Sequence, residues 1–115
     1  MFKFMQSPAY WWPVVLAVPA DDDPGKKLTV KFDAQFRRET EQEQKARVEK
    51  ARSEGQSDAA FIRPLVAGLR KLPGIDGTDV PFSPAALDEL LDIPGAGSAL
   101  SKAYFESNSE AATKN

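Results

Sequence analysis

Hydrophobic and polar positions change rhythm along the chain, and each change marks a predicted element. From Lys27 to Phe36 the two alternate strictly, with Leu28, Val30, Phe32, Ala34 and Phe36 on one side, the period of a half-buried strand. Trp11 to Val18 also predicts a strand. It is apolar on both alternating faces, so it should be covered on both sides or lie at a contact. Between them, Asp21-Asp22-Asp23-Pro24-Gly25 is turn chemistry, and the two runs together predict an antiparallel hairpin.

Beyond Phe36 the period lengthens to that of helices. Thr40 and Glu43 have capping-box spacing and Gly55 is a stop signal, which predicts a helix over 41–54. Apart from Ala46, Val48 and Ala51 this helix is polar all round, with Glu41/Lys45 and Glu43/Arg47 in the favourable i, i+4 order. Such a helix runs through solvent or is completed by a partner. Ser57 or Asp58 caps the next helix, whose Phe61, Ile62, Leu65, Val66 and Leu69 form a core face; Pro64 implies that it is kinked or begins near Arg63. After a loop at 73–77, Ser83 is an N-cap and Pro84 a first helical residue, followed by Leu87, Leu90 and Leu91 on one face. Pro94-Gly95 ends that helix, and Ala96, Ala99, Leu100, Ala103 and Tyr104 line another over 96–107. Tyr104 and Phe105 are adjacent, so they point about 100° apart and cannot both sit at the centre of one narrow face.

The expected fold is α+β, an N-terminal antiparallel β-hairpin packed on a small bundle of about four helices. At 115 residues the chain has room for a single domain, over 10–107, with 1–9 a disordered lead-in and 108–115 a disordered tail.

Composition narrows the chemistry. There is no Cys and no His, which removes thiol and imidazole nucleophiles, bases and metal ligands; we expect no enzyme, no cofactor and no metal. Asp21-Asp22-Asp23 and Asp76-Gly77-Thr78-Asp79 read as solvated turns, because no bidentate Glu follows at calcium-loop spacing. A net charge of −2 gives no overall field for a polyanion, and no nucleic-acid partner is expected. The helices over 84–91 and 96–107 could form a helix-turn-helix. Its outward residues would then be Ser98, Ser101, Lys102 and Glu106, only one of them basic. Arg37, Arg38, Lys45, Arg47, Lys50 and Arg52 concentrate positive charge, but Glu39, Glu41, Glu43 and Glu49 interleave with them. Tyr10 to Val18 is a poor signal peptide and too short to span a bilayer, so no membrane association is expected. Tyr10, Trp11 and Trp12 read either as hairpin packing or as aromatic anchors for a partner protein.

Three blocks then stand in order over about residues 11–106. They are Trp12-Pro13-Val14-Val15 with Phe32-Asp33-Ala34-Gln35-Phe36-Arg37-Arg38; Phe61-Ile62-Arg63 to Gly68; and Val80-Pro81-Phe82-Ser83 through Leu90-Leu91-Asp92-Ile93-Pro94 to Ala103-Tyr104-Phe105. The set resembles the tail assembly chaperones of long-tailed bacteriophages. It departs from them in the polarity of the helix 41–54, in Pro64, and in Leu69, where the family carries an aromatic. The resemblance implies a non-enzymatic protein that binds the tape measure protein, helps recruit tail tube subunits and leaves before the tail is complete. It would act in the cytoplasm of the bacterial host and be absent from the mature virion. Self-association is expected, and the candidate protein-binding residues are Trp11, Trp12, Arg37, Arg38, Tyr104 and Phe105. The alternatives are a small DNA-binding regulator with a C-terminal helix-turn-helix and a minor structural component of the tail.

Overall fold

The computed structural model describes residues 7–74 and 76–109. Alternation builds the first two elements, β1 (Ala9–Pro19) and β2 (Lys27–Arg37). They pair antiparallel in unbroken register from Ala9↔Arg37 to Pro19↔Lys27. The acidic turn closes with Lys26 N donating to the Asp23 carbonyl at 3.1 Å. This register puts Val14, Leu16, Phe32, Ala34 and Phe36 on one side, where all are buried. Pro13 and Pro19 fit β1 because it is an edge strand, where a missing N–H can point away from the ladder.

Helix α1 (Glu41–Glu54) has the expected bounds and ends. The Thr40 hydroxyl accepts from Glu43 N at 3.1 Å while the Glu43 carboxylate accepts from Thr40 N at 3.0 Å, satisfying donors that the first turn leaves free. Gly55 closes the other end with φ 64°, a left-handed conformation that costs glycine little. None of its 14 residues is fully buried.

The stretch after α1 corrects the expected long helix. Helix α2 (Asp58–Ile62), capped by the Ser57 hydroxyl, gives way to a short 3-10 turn (Arg63–Leu65) and then to a third strand, β3 (Val66–Arg70). Pro64 explains the break, since it offers no N–H to continue the helix and its ring crowds the preceding turn. Strand β3 pairs antiparallel with β2, with a register shift at Gln35/Phe36, making a sheet of order β1-β2-β3. Phe61, Ile62, Leu65, Val66 and Leu69 are all buried, although two of them sit on a strand.

Helices α3 (Pro84–Leu91) and α4 (Ala96–Ser107) also have the expected bounds. Helix α4 lies chiefly against α2 and β1 and touches α3 less. At its crossing with α2 the backbones meet at Gly97, where an added Cβ would stand 2.7 Å from Ala59 N. Ser101, which a helix-turn-helix would turn outward, is buried at this crossing and donates to the Asp58 carbonyl at 3.3 Å. Among the described residues the result is an α+β fold with a three-stranded antiparallel sheet and four α-helices.

The expected lead-in and tail fall mostly outside the described residues. Within them, Pro8 O accepts from Arg38 N at 2.9 Å, and Asn108 Nδ2 donates to the Tyr10 hydroxyl at 3.1 Å. No helix among the described residues is long and apolar enough to cross a membrane.

Candidate protein-binding surface

The sheet has two unlike faces. Toward the helices it presents the core; on the other side β1 contributes Trp11, Pro13, Val15, Ala17 and Pro19, and the paired row of β2 contributes Gln35, Asp33, Lys31, Thr29 and Lys27. Val15 is 56% exposed and Trp11 36%. The Trp11 indole reaches across β2 to β3, where a Cβ on Gly68 would come within 3.2 Å of its ring. The Arg70 guanidinium stands over the same ring, 4.1 Å from its centroid, a cation–π contact. Arg70 Nε also donates to Asp33 Oδ2 at 2.9 Å, and Lys71 Nζ lies 3.4 Å from that oxygen. The hydrogen bond from Arg70, aided by the charge of Lys71, holds the Asp33 carboxyl below its ordinary pKa.

The C-terminal aromatics divide between core and surface. Tyr104 is 1% exposed and packs edge-on against Phe36, with centroids 5.5 Å apart; it is a core residue, which corrects its place among the candidate contacts. Its hydroxyl donates to Glu39 Oε1 at 3.0 Å. Burial first, then this carboxylate, pushes the phenol pKa up. Glu39 Oε2 in turn lies 3.2 Å from Arg47 Nε, an ion pair whose N–H is not aligned for a hydrogen bond. Arg47 Nη2 donates to the Phe61 carbonyl at 2.7 Å. Phe105 stays 38% exposed and stacks on Phe61 at 5.6 Å.

The remaining candidates fall apart in the same way. Trp12 lies on the core side of β1, half-buried. Arg37 is exposed on the outward side, with Nε donating to the Pro64 carbonyl at 3.1 Å. Arg38 donates to the Ser7 carbonyl and covers the Tyr10 ring at 4.9 Å. Trp11 and Arg37 therefore share the outward sheet face, whereas Phe105 belongs to a helix on the other side. Val15, Gly68 and Arg70 were missed from the sequence. The signal for Val15 was present in the apolar outward row of β1; Gly68 and Arg70 were hidden because their strand read as helix.

The acidic turns behave as turns. Asp76 accepts from Thr78 N at 3.1 Å and from its hydroxyl at 2.7 Å, and Asp23 pairs with Lys26 at 3.5 Å. Among the described residues no group of three or more His, Cys, Asp or Glu side chains is placed to hold a metal ion. An open depression of about 690 Å³ beside α3 is lined by Leu72, Val80, Pro81, Leu90 and Ile93, with Asp76, Asp79 and Glu89 also at its wall. No protein-family model matches the chain, and neither the curated proteins nor the solved structures give a significant match.

Proposed function

We propose that this protein is a non-enzymatic tail assembly chaperone of a long-tailed bacteriophage, binding the tape measure protein and helping to recruit tail tube subunits in the cytoplasm of the infected bacterium. The observation that carries the protein-binding part is the split between neighbouring aromatics. Trp12 and Tyr104 pack inward, while Trp11 and Phe105 keep more than a third of their surface in water, as anchors for a partner would. A helix α1 with no fully buried residue suits the same role, since it offers a long surface that a client could complete. In this reading the hairpin rests on the small set of helices and copies of the chain associate weakly along the client, because many weak contacts sum to avidity and still release. The tail-specific part rests on the ordered blocks from Trp12 to Phe105. A helix-turn-helix regulator is disfavoured, because Gly97 and Ser101 of α4 are occupied at the α2 crossing.

Co-expression with tape measure segments tests the proposal. Co-purification with a tape measure segment, together with absence from purified virions, is the expected result. Retention in virions would make the chain a structural tail component, and failure to bind any tape measure segment would overturn the role.

A further inference from the structure

We propose that the outward face of the sheet is a docking surface for an acidic amphipathic helix of another protein. An antiparallel sheet can leave one face to water when that face is polar. Strand β2 obeys this rule and β1 does not: from Trp11 through Pro13 and Val15 to Ala17 its outward row carries no polar side chain. The row spans about 20 Å at the rise of a strand, the length of about 13 helical residues. A helix laid along it would add a third layer over the sheet, the usual way such a face is buried.

Charge selects which helix. Lys31 stands directly opposite Val15 and Lys27 opposite Pro19, both exposed, so two cations flank the apolar row. Asp33, the carboxylate on this face, is held by Arg70 and Lys71. The protein as a whole is acidic, at −2, so this is a local reversal of sign. The complementary partner carries an apolar stripe flanked by Glu or Asp. A single-stranded nucleic acid fits less well. Stacking platforms present several rings, and this row offers one, Trp11, already carrying Arg70, among aliphatic neighbours. A second copy of the chain fits less well too, because Leu87 and Leu90 of its acidic helix α3 are buried in its own core.

The inference rests on the protein-binding part of the proposed function and not on tail assembly. The test is a titration of the full chain with three labelled probes: a four-turn peptide with a leucine stripe flanked by glutamates, the same peptide with lysines for the glutamates, and an oligothymidylate. The glutamate peptide should bind at least about tenfold more tightly than the other two. Val15→Glu should weaken it by about tenfold and Lys31→Glu by about fivefold, with unchanged thermal midpoints, and Lys31→Glu should improve binding of the lysine peptide. Equal binding of both peptides, tighter binding of the oligonucleotide, or undiminished binding by both variants would overturn the assignment. The two readings fail separately. Tape measure binding with no preference for the acidic peptide removes this surface and leaves the chaperone role, whereas binding of the acidic peptide that both substitutions weaken, without any tape measure binding, supports the surface and removes the role.

Discussion

The Tyr104 hydroxyl donates to Glu39 Oε1 at 3.0 Å, joining α4 to the segment between β2 and α1 in a place where neither side chain has much access to water. Glu39 is itself held by Arg47, which reaches on to the Phe61 carbonyl. This chain of polar contacts helps fasten α1, whose apolar contact with the core comes from the partly buried Val48 and Ala51, to the rest of the fold. Tyr104→Phe removes one charge-assisted donor and should cost about 1–2 kcal/mol. Arg47→Ala leaves a nearly buried carboxylate without its cation and should cost more, about 3 kcal/mol. Urea unfolding of both variants checks the order; equal losses would mean that the ion pair contributes little.

The same phenol sets an alkaline limit. Its native pKa is raised above the unfolded value of about 10, so above that pH the unfolded chain releases a proton that the native state retains. Stability from this group is complete below about pH 10 and is lost as pH rises through the native value. Thermal midpoints measured from pH 9 to 11 should fall less steeply in Tyr104→Phe than in the unsubstituted protein.

Asp33 works in the opposite direction. Its native pKa is depressed by Arg70, so the stabilisation is present above the unfolded value of about 4 and disappears as pH falls through the lower native one. Asp33→Asn should flatten the loss of thermal stability below about pH 4. An unchanged acid limb would mean that the Arg70 contact does not persist in solution.

Gly97 separates two forces that act with opposite sign. By helix propensity alone, Gly97→Ala in the first turn of α4 should stabilise by less than the roughly 1 kcal/mol of a helix interior. The new Cβ, however, would stand 2.7 Å from Ala59 N and 2.9 Å from its Cα, backbone atoms that cannot swing aside. Opening this crossing should cost about 1–3 kcal/mol and outweigh the propensity gain. A more stable Gly97→Ala variant would show that α2 and α4 pack less closely than this.

What could be read from the sequence follows from how far each signal reaches along the chain. The capping box of Thr40 and Glu43, the stop at Gly55 and the Ser83-Pro84 start are contained within a turn or two, and all three stand where local chemistry puts them. Val66 to Arg70 is ambiguous in sequence because Leu65, Val66 and Leu69 suit a helical face and a buried strand equally; only the edge of β2, far away in sequence, decides between them. Tyr104 and Phe105 show the same limit. Their angular separation requires that they diverge, but which one enters the core depends on Phe36 and Glu39, contacts made only when the chain closes.

Val14 and Val15 give the cleanest test of the two-faced sheet. They are the same residue type, adjacent in one strand, and β propensity therefore penalises alanine about equally at both. Val14 is 1% exposed and Val15 56%, so burial is the principal difference between them. Val14→Ala removes two buried methyl groups and leaves a cavity, which should cost about 2–3 kcal/mol. Val15→Ala should cost no more than about 0.5 kcal/mol, as exposed substitutions usually do. Denaturant midpoints of the isolated protein measure both. Comparable losses would mean that Val15 is already covered in solution, and the outward row of β1 would not be free to receive a partner.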